Sequence, residues 1–382
     1  MQFSEIIGQD YIKNHLIKSA IAGRIPHAQL FVGPEGSGTL ATAIAYAQLI
    51  LCRNTSTENN EGNESCNVKF SSLSHPDLHF IFPNASNDDV KSKPKSADFL
   101  TDFREFVLEN PYGSLFDWYK YLGVSNKQGE IRVDDAVDIL KSLALKSYEG
   151  GYKVMIIWMA EKMNIAASNK ILKLLEEPLE KTLFLLIAED EEDIIQTIRS
   201  RCQVLNFGAL PEKTIAKSLV NDYHIERNKA EKIAHQSQGN YNKALHLLNP
   251  DENELPFEEW FVHWVRTAFK AKGNAAAIHD LIAWSDTIAG IGRESQKQFL
   301  NYCIVMFRQA LLHNYEAKEL VYMEPQTVGF TFDKFAPFVT GNNISEIFES
   351  LSEAIYLIER NGNPKIILTD LSIRLTRLIH KK

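Results

Sequence analysis

A short apolar strand that runs into a glycine-rich loop and then into an apolar helix constrains the fold of this chain most. Residues 29–32 (QLFV) predict a buried strand, residues 33–38 (GPEGSG) a loop, and residues 40–52 (LATAIAYAQLILC) a helix. Strand, glycine loop and helix in this order are the setting of a phosphate-binding loop, where backbone N–H groups at a helix N-terminus face an anion.

The same alternation continues along the first half of the chain. Further strands are predicted at 78–82, 153–157 and 183–188, with helical segments before and between them. Strands that alternate with helices indicate a parallel α/β sheet. After about residue 208 the pattern is helical only. We therefore predict an α/β domain over 1–208, a small helical domain over 209–249 and a helical domain over 250–382.

Composition limits the class of protein. The 382 residues carry a net charge of −8 and are 45% hydrophobic, which is typical of a globular protein of two or three domains. The acidic balance argues against a surface that binds nucleic acid throughout. Cys52, Cys66, Cys202 and Cys303 are too few and too scattered for a disulfide framework, so a reducing compartment is expected. With no secretory leader and no apolar run near the length of a membrane span, we expect a cytoplasmic protein without membrane contact.

The glycine loop lacks the groups that a hydrolytic loop needs. Gly33 and Gly38 have the G-x-x-x-x-G spacing, but Thr39 and Leu40 stand where lysine and Ser/Thr belong, and no lysine or arginine lies between residues 33 and 52. That lysine normally reaches the β- and γ-phosphates, and the hydroxyl holds Mg²⁺. The backbone can still attract an anion weakly. The candidate loop residues are Gly33, Gly36, Gly38 and Thr39.

The acidic pair of an ATPase is missing too. In such enzymes it follows the next central strand, where it holds Mg²⁺ and orients water. Here Trp158 and Met159 follow the strand that ends at Ile157, and we interpret them as packing residues. The two defects together suggest an ATPase fold that has lost its chemistry.

Seven stretches, in order along nearly the whole chain, resemble the AAA+ clamp-loader family of bacterial DNA polymerase III. This resemblance implies an AAA+ P-loop-type module with a parallel sheet, a small helical lid and an all-α C-terminal collar. The stretches are IIGQD (6–10), PHAQLFVGPEGSG (26–38), HPDLHF (75–80), NKILKLLEEP (169–178), TIRSRCQ (197–203), SQGNYNKAL (237–245) and NGNPKIIL (361–368).

The Ser200-Arg201-Cys202 triplet has a specific implication. Clamp loaders are rings of five subunits with ATP sites at subunit boundaries, and the arginine of this triplet reaches into the neighbour's site. By that likeness Arg201 is an arginine finger supplied in trans. Two alternatives remain: Arg199 as the finger, or Arg201 in a surface or intramolecular salt bridge. Ser200 and Cys202 are expected to pack at the interface, not to react.

Other positions carry weaker implications. The resemblance places Glu176 and Glu177 at a structural or interface position. Asn242 and Lys243 lie where active relatives often have a sensor arginine. We predict that Lys243 is a solvated helix lysine, with a weak substitute for that arginine as the alternative. Many relatives hold zinc with four cysteines in the region where this chain offers only Cys52 and Cys66, so no zinc is expected.

The resemblance implies a function without intrinsic hydrolysis. The chain would be a non-hydrolysing clamp-loader subunit with no cofactor of its own, ATP being bound by a neighbouring subunit. Its partners would be the loader's ATPase subunits and the clamp-opening subunit, with the sliding clamp and primed DNA reached through the complex. The alternatives are an active AAA+ ATPase, such as the hydrolysing loader subunit or a branch-migration helicase, and an independent nucleic-acid-binding protein.

Overall fold

The chain falls into two compact units, each with its own hydrophobic core. One unit is Met1–Val124 with Gly129–Pro250, and the other is Asp251–Lys382 with Ser125–Gln128. The predicted boundary between residues 208 and 209 lies inside the first unit, and the three-domain division stays a prediction. The computed structural model describes residues 1–53, 64–124, 127–148, 151–249 and 255–381.

A parallel sheet forms the centre of the first unit, which confirms the predicted α/β class. The strand order is β2-β3-β4-β1-β5, and all four neighbouring pairs are parallel. The strands in the described residues are β1 (Ala28–Val32), β2 (Leu78–Ile81), β3 (Lys153–Ile157), β4 (Thr182–Ala188) and β5 (Gln203–Asn206). The sequence did not predict β5, because this edge strand is short and only half-buried and it begins and ends with polar residues.

Helices cover both faces of this sheet. One core joins Phe31 and Ile187 to helices α1, α2, α4 and α5, and the other joins Leu30 and Leu186 to α6, α7 and α8. Adjacent strand residues point to opposite faces, so the central strands carry apolar residues toward both faces. The helices are α1 (Asp10–Ile21), α2 (Thr39–Cys52), α3 (Glu64–Ser71), α4 (Leu100–Glu109), α5 (Leu115–Tyr121), α6 (Val133–Ala144), α7 (Ile165–Glu176), α8 (Gln196–Arg199), α9 (Glu212–Tyr223), α10 (Arg227–Ser237) and α11 (Tyr241–Leu248).

Helices α9, α10 and α11 pack on each other and on helix α2. Their shared core includes Leu219, Ile233 and Tyr241 together with Ala41 and Ala45 of α2. The alanines of α2 allow this close approach because they add little bulk. The contact brings the start of α11 to the glycine loop that precedes α2.

The second unit is helical around one core. Its stacked indole rings, Trp264 and Trp284, lie 4.9 Å apart. Asn363 caps the last helix, because its side chain accepts the Lys365 N–H at 3.0 Å and proline occupies the first turn. The helices are α12 (Phe257–Lys270), α13 (Ala275–Ala289), α14 (Arg293–Asn314), α15 (Phe332–Phe335), α16 (Ile344–Glu359) and α17 (Pro364–Leu378). In the described part of the chain, no helix is both long and apolar enough to cross a membrane.

One disulfide corrects the expectation about the cysteines. Cys52 at the end of α2 is bonded to Cys66 in α3, with Cα atoms 5.3 Å apart. The spacing along the chain hid this pair because the packing of α2 on α3 makes the two residues neighbours. Both sulfur atoms are therefore bonded to each other in this structure.

Candidate functional site

The glycine loop begins directly after β1, at the carboxyl ends of the sheet strands. The Gly33 N–H donates to the Ala188 carbonyl of β4 at 3.1 Å, so the loop starts as a continuation of the sheet. Gly36 and Gly38 have φ of +71° and +88°, a region that residues with a side chain rarely adopt. Gly33, Gly36 and Gly38 thus lie in one loop, as the sequence predicted, at the edge where α/β proteins bind ligands.

Helix α2 starts immediately after this loop. Thr39 is its first residue and is half-buried, and Leu40 is buried in the core below the loop. The Thr42 hydroxyl donates to the Gly38 carbonyl at 2.7 Å, which ties the first turn of the helix to the loop. An apolar side chain therefore occupies the position from which a hydroxyl would hold Mg²⁺.

The start of helix α11 closes over the loop. The Tyr241 N–H donates to the Gly36 carbonyl at 3.2 Å, and the Asn240 amide donates to a Glu35 carboxylate oxygen at 3.0 Å. A Cβ atom added to Gly36 would collide with the Asn240 side chain. The start of α11 therefore packs directly against the loop.

Glu35 brings a negative group into the loop itself. Burial raises the pKa of this carboxyl, and the hydrogen bond from Asn240 opposes the rise. Lys243, one turn further along α11, corrects the prediction of a solvated lysine. Its side chain is half-buried, and burial lowers its pKa while the charge of Glu35 counters the shift.

The ring of Tyr112 fills the space beside the loop. Its hydroxyl accepts the Ile7 N–H at 2.9 Å, and its ring lies 4.8 Å from the Tyr241 ring, centroid to centroid. A Cβ atom on Gly38 would come within 2.9 Å of the Tyr112 ring. Burial raises the pKa of Tyr112 to about 12, so the phenol is neutral at physiological pH.

Sequence reasoning missed Tyr112. The stretch 99–124 is rich in aromatic residues, and Phe103, Phe106 and Trp118 among them pack together. Tyr112 instead lies between α4 and α5, with an asparagine and a glycine in the same link. Nothing in that spacing distinguishes a residue that reaches the glycine loop.

A polar network joins the start of α5 to α11. The Asn110 amide donates to the Asn242 side-chain oxygen at 2.7 Å, and the Asn242 amide donates to Asp117 at 2.6 Å. The other Asp117 oxygen lies 3.1 Å from Nε2 of His246. Burial opposes ionisation of Asp117, but His246 and the hydrogen bonds from Ser114 hold the pKa of Asp117 at about 2. We call these residues the α5–α11 network.

The end of β3 is apolar, as predicted. Trp158 and Met159 are buried, and the Trp158 ring lies 5.5 Å from the Phe103 ring. The acid that follows in the sequence, Glu161, accepts the Glu189 N–H at 3.4 Å, and burial raises the pKa of Glu161. Of these residues, Trp158, Met159 and Glu189 line the cavity at the glycine loop and Glu161 does not.

Arg201 and Glu176 lie together, away from that cavity. An Arg201 guanidinium nitrogen is 2.7 Å from Glu176 Oε1, and another donates to the Thr197 carbonyl at 2.9 Å. The Arg201 side chain remains 35% exposed. Its neighbour Ser200 donates to the same Thr197 carbonyl at 3.1 Å. The salt-bridge alternative thus describes the position of Arg201 in this structure, and its side chain is still partly accessible to solvent.

The residues around this pair differ in burial. Glu177 is exposed at the C-terminal cap of α7, where its N–H donates to the Lys173 carbonyl at 3.2 Å. Arg199 is paired with Glu192 at 3.0 Å. Burial raises the pKa of the Cys202 thiol to about 12, so it stays protonated at physiological pH.

Residues 8–211 match the protein family described as DNA polymerase III, delta subunit. The matched range is more than half of the chain and includes the whole sheet. The chain belongs to this family of clamp-loader proteins. Its first unit is accordingly an AAA+ module. The matched range contains the glycine loop and Arg201. It ends before α11, so Asn240 and the residues of α11 that contact the loop lie outside it.

Curated relatives agree with this DNA polymerase III family. The chain is 27% identical over 244 residues to the delta' subunit of Bacillus subtilis, covering 64% of this chain and 60% of the relative. It is 38% identical over 100 residues to the delta' subunit of Haemophilus influenzae, covering 26% and 30%. It is 29% identical over 213 residues to the gamma/tau subunit of Mycobacterium tuberculosis, covering 56% and 30%. The matches thus span at most 60% of these relatives' lengths.

Proposed function

We propose that this chain is a non-hydrolysing subunit of a DNA polymerase III clamp loader and completes a neighbour's ATP site with Arg201. Family membership supports the assembly, and the geometry of the glycine loop supports the lack of hydrolysis. The observation that carries the proposal is the lining of the cavity at the loop, which among the described residues includes Glu35, Trp158 and Met159 but no lysine or arginine.

The residues present at the loop do not fit a bound nucleoside triphosphate. In the part of the chain that the structure describes, the cavity at the loop is lined by Glu35 and Glu189 and by no lysine or arginine. Phosphate oxygens there would face these carboxyls with no lysine from the loop to offset the charge. The ring of Tyr112 lines the same cavity beside Gly38.

Arg201 has the exposure and the loose attachment that a finger needs. Its ion pair with Glu176 is partly exposed on both sides, and such pairs contribute about 0.2–1 kcal/mol. An arginine finger lowers the barrier of phosphoryl transfer by about 4–7 kcal/mol, which corresponds to a rate factor of roughly 10³–10⁵. Transition-state charge in a neighbouring subunit can therefore draw Arg201 away from Glu176.

The partners follow from the family likeness. We propose that the chain assembles with the ATPase subunits of the loader and with the clamp-opening subunit. It would reach the sliding clamp and primed DNA through that complex. The names of the relatives, delta' and gamma/tau subunits of DNA polymerase III, support an assembly of this kind.

Removing the finger tests the proposal directly. The Arg201→Ala variant is assembled into a loader whose other ATP sites are inactivated, and ATP turnover is measured with clamp and primed DNA present. We expect a loss of at least about 10³-fold. Arg199→Ala is the matched control, because Arg199 is nearby and also ion-paired, with Glu192. Turnover that is unchanged by Arg201→Ala, or reduced instead by Arg199→Ala, would contradict the assignment.

An active ATPase is the second candidate, favoured by the likeness to gamma/tau subunits. Calorimetric titration of the purified chain with Mg-ATP separates the two. We expect no binding at millimolar nucleotide, because the loop offers no cation and its cavity is lined by Glu35 and Glu189 without a lysine or arginine from the residues that the structure describes. Micromolar binding with turnover by the isolated chain would refute the non-hydrolysing proposal.

A further inference from the structure

An apolar groove opens on the surface of the second unit. Its floor is formed by Val265, Phe330, Phe335 and Ile379, which come from α12, α15 and the chain around them. The groove encloses about 680 Å³ of empty space, part of it open to solvent. We call it the α12 groove. Its hydrocarbon and aromatic lining can receive an apolar side chain from outside.

Three cations surround this floor. Arg266, Lys270 and Lys334 line the α12 groove, are exposed, and share the lining with no acidic residue. Within the part of the chain that the structure describes, none of the three has an acidic side chain within salt-bridge distance. The adjacent Asp333 is directed to His313, 2.8 Å away. This positive rim is distinctive in a chain whose net charge is −8.

We propose that the α12 groove binds an acidic peptide segment of a partner protein, with a leucine or phenylalanine side chain inserted into the floor. Carboxylates on the peptide would face Arg266, Lys270 and Lys334, which supplies charge complementarity and orientation. The apolar side chain would bury the floor, which supplies most of the affinity. A neutral or basic peptide would leave the rim cations unpaired.

The arrangement of the rings favours a peptide over single-stranded nucleic acid. Nucleic-acid grooves stack bases on open aromatic faces. Here Phe269 meets the Phe338 ring edge-on and lies beside the His380 ring, each 4.9 Å away between ring centroids, so part of its surface is already covered. The floor also offers no polar side chain to read the edge of a base. The groove lies outside the family-matched residues 8–211 and does not depend on the role of Arg201.

Selection from random peptides tests the proposal without assuming a partner. A phage-displayed library of random dodecapeptides is panned on the full-length chain, and enriched peptides are labelled with fluorescein and titrated by anisotropy. We expect Asp- and Glu-rich peptides around a Leu or Phe, with affinity that falls as salt rises. Replacing that Leu or Phe by Ala in the peptide should weaken binding about ten-fold, because one buried side chain is lost.

Charge reversal locates the binding site. The double variant Arg266→Glu and Lys334→Glu should weaken binding about ten-fold or more, since two attractions become repulsions. Lys272→Glu with Arg308→Glu is the matched control, because both residues are exposed and lie outside the groove lining. We expect that control to bind as the parent does, and circular dichroism checks that both double variants fold.

Three results would overturn the proposal. One is a selection without an acidic consensus, or with peptides that bind the Arg266→Glu, Lys334→Glu variant as well as the parent. The second is binding of single-stranded oligo(dT) that this variant abolishes, which would assign the groove to nucleic acid. The third is a dimer in sedimentation velocity that this variant dissociates, which would assign it to a second copy of the chain.

Discussion

The α5–α11 network should decide how firmly helix α11 is held against the glycine loop. Asp117 accepts from Asn242 at 2.6 Å and pairs with His246 at 3.1 Å, and its side chain is only 15% exposed. Asp117→Asn keeps the size of the side chain but removes the charge that His246 and Ser114 stabilise. We expect the first unit to lose stability, because these bonds connect the loop-facing helix α11 to the rest of the unit.

The pKa of Asp117 sets the magnitude. Its folded value of about 2 lies below the ordinary 3.8, so the native state favours the charged carboxylate. Each unit of pKa corresponds to about 1.36 kcal/mol, which makes this difference worth about 2 kcal/mol. Because the folded pKa is the lower one, this stabilisation is present above pH 4 and is lost as the pH falls toward 2.

This contribution is measured by urea unfolding of the parent and of Asp117→Asn at a series of pH values between 7 and about 2.5. We expect the variant to be about 2 kcal/mol less stable near neutrality and the difference to shrink below pH 4. Asp333→Asn is the matched control: it also pairs with a histidine, His313, but is 84% exposed and should change stability by less than about 1 kcal/mol. A difference in unfolding free energy between the parent and Asp117→Asn that stays constant down to about pH 2.5 would refute this reasoning.

Three further predictions concern other parts of the chain. Glu176→Gln should raise loader turnover by less than about five-fold, because releasing Arg201 from a partly exposed pair gains at most about 1 kcal/mol; a fall in turnover instead would assign Glu176 a role of its own. Replacing Cys52 and Cys66 by serine removes the cross-link between two residues that lie 14 apart in the sequence. The unfolding free energy should fall by about 3 kcal/mol in urea titrations under oxidising conditions, whereas no change would show that the bond is dispensable. Trp158→Ala should cost about 3–5 kcal/mol in the same assay because the indole is buried, and a small loss would contradict its packing role.

Much of the fold could be predicted because its signals are local. The central strands β1, β3 and β4 are buried throughout, and the edge strand β2 keeps three buried apolar residues; the loop between β1 and α2 is marked by its glycines. The other edge strand, β5, escaped prediction because its two ends are exposed polar residues and its two middle residues are only half-buried. The Cys52–Cys66 bond escaped because it depends on the packing of α3 against α2.

The candidate site divides in the same way. The missing loop cation and the apolar residues at the end of β3 could be read from the sequence, since each is defined by its distance from a recognisable strand. Tyr112 and Asn240 could not be assigned to the loop. They are 74 and 202 residues from Gly38, respectively, and only packing brings them to it.

The sequence alone therefore determined the α/β class, the family resemblance and the absence of a loop lysine, because these depend on residue type and short spacing. Only the tertiary structure decided which distant side chains contact the loop, where Arg201 is held and which cations surround the α12 groove. The physical reason is that each of these depends on side chains from separate elements meeting at distances of a few ångströms. Such meetings are set by how helices pack on the sheet and on each other, and no short stretch of sequence encodes them.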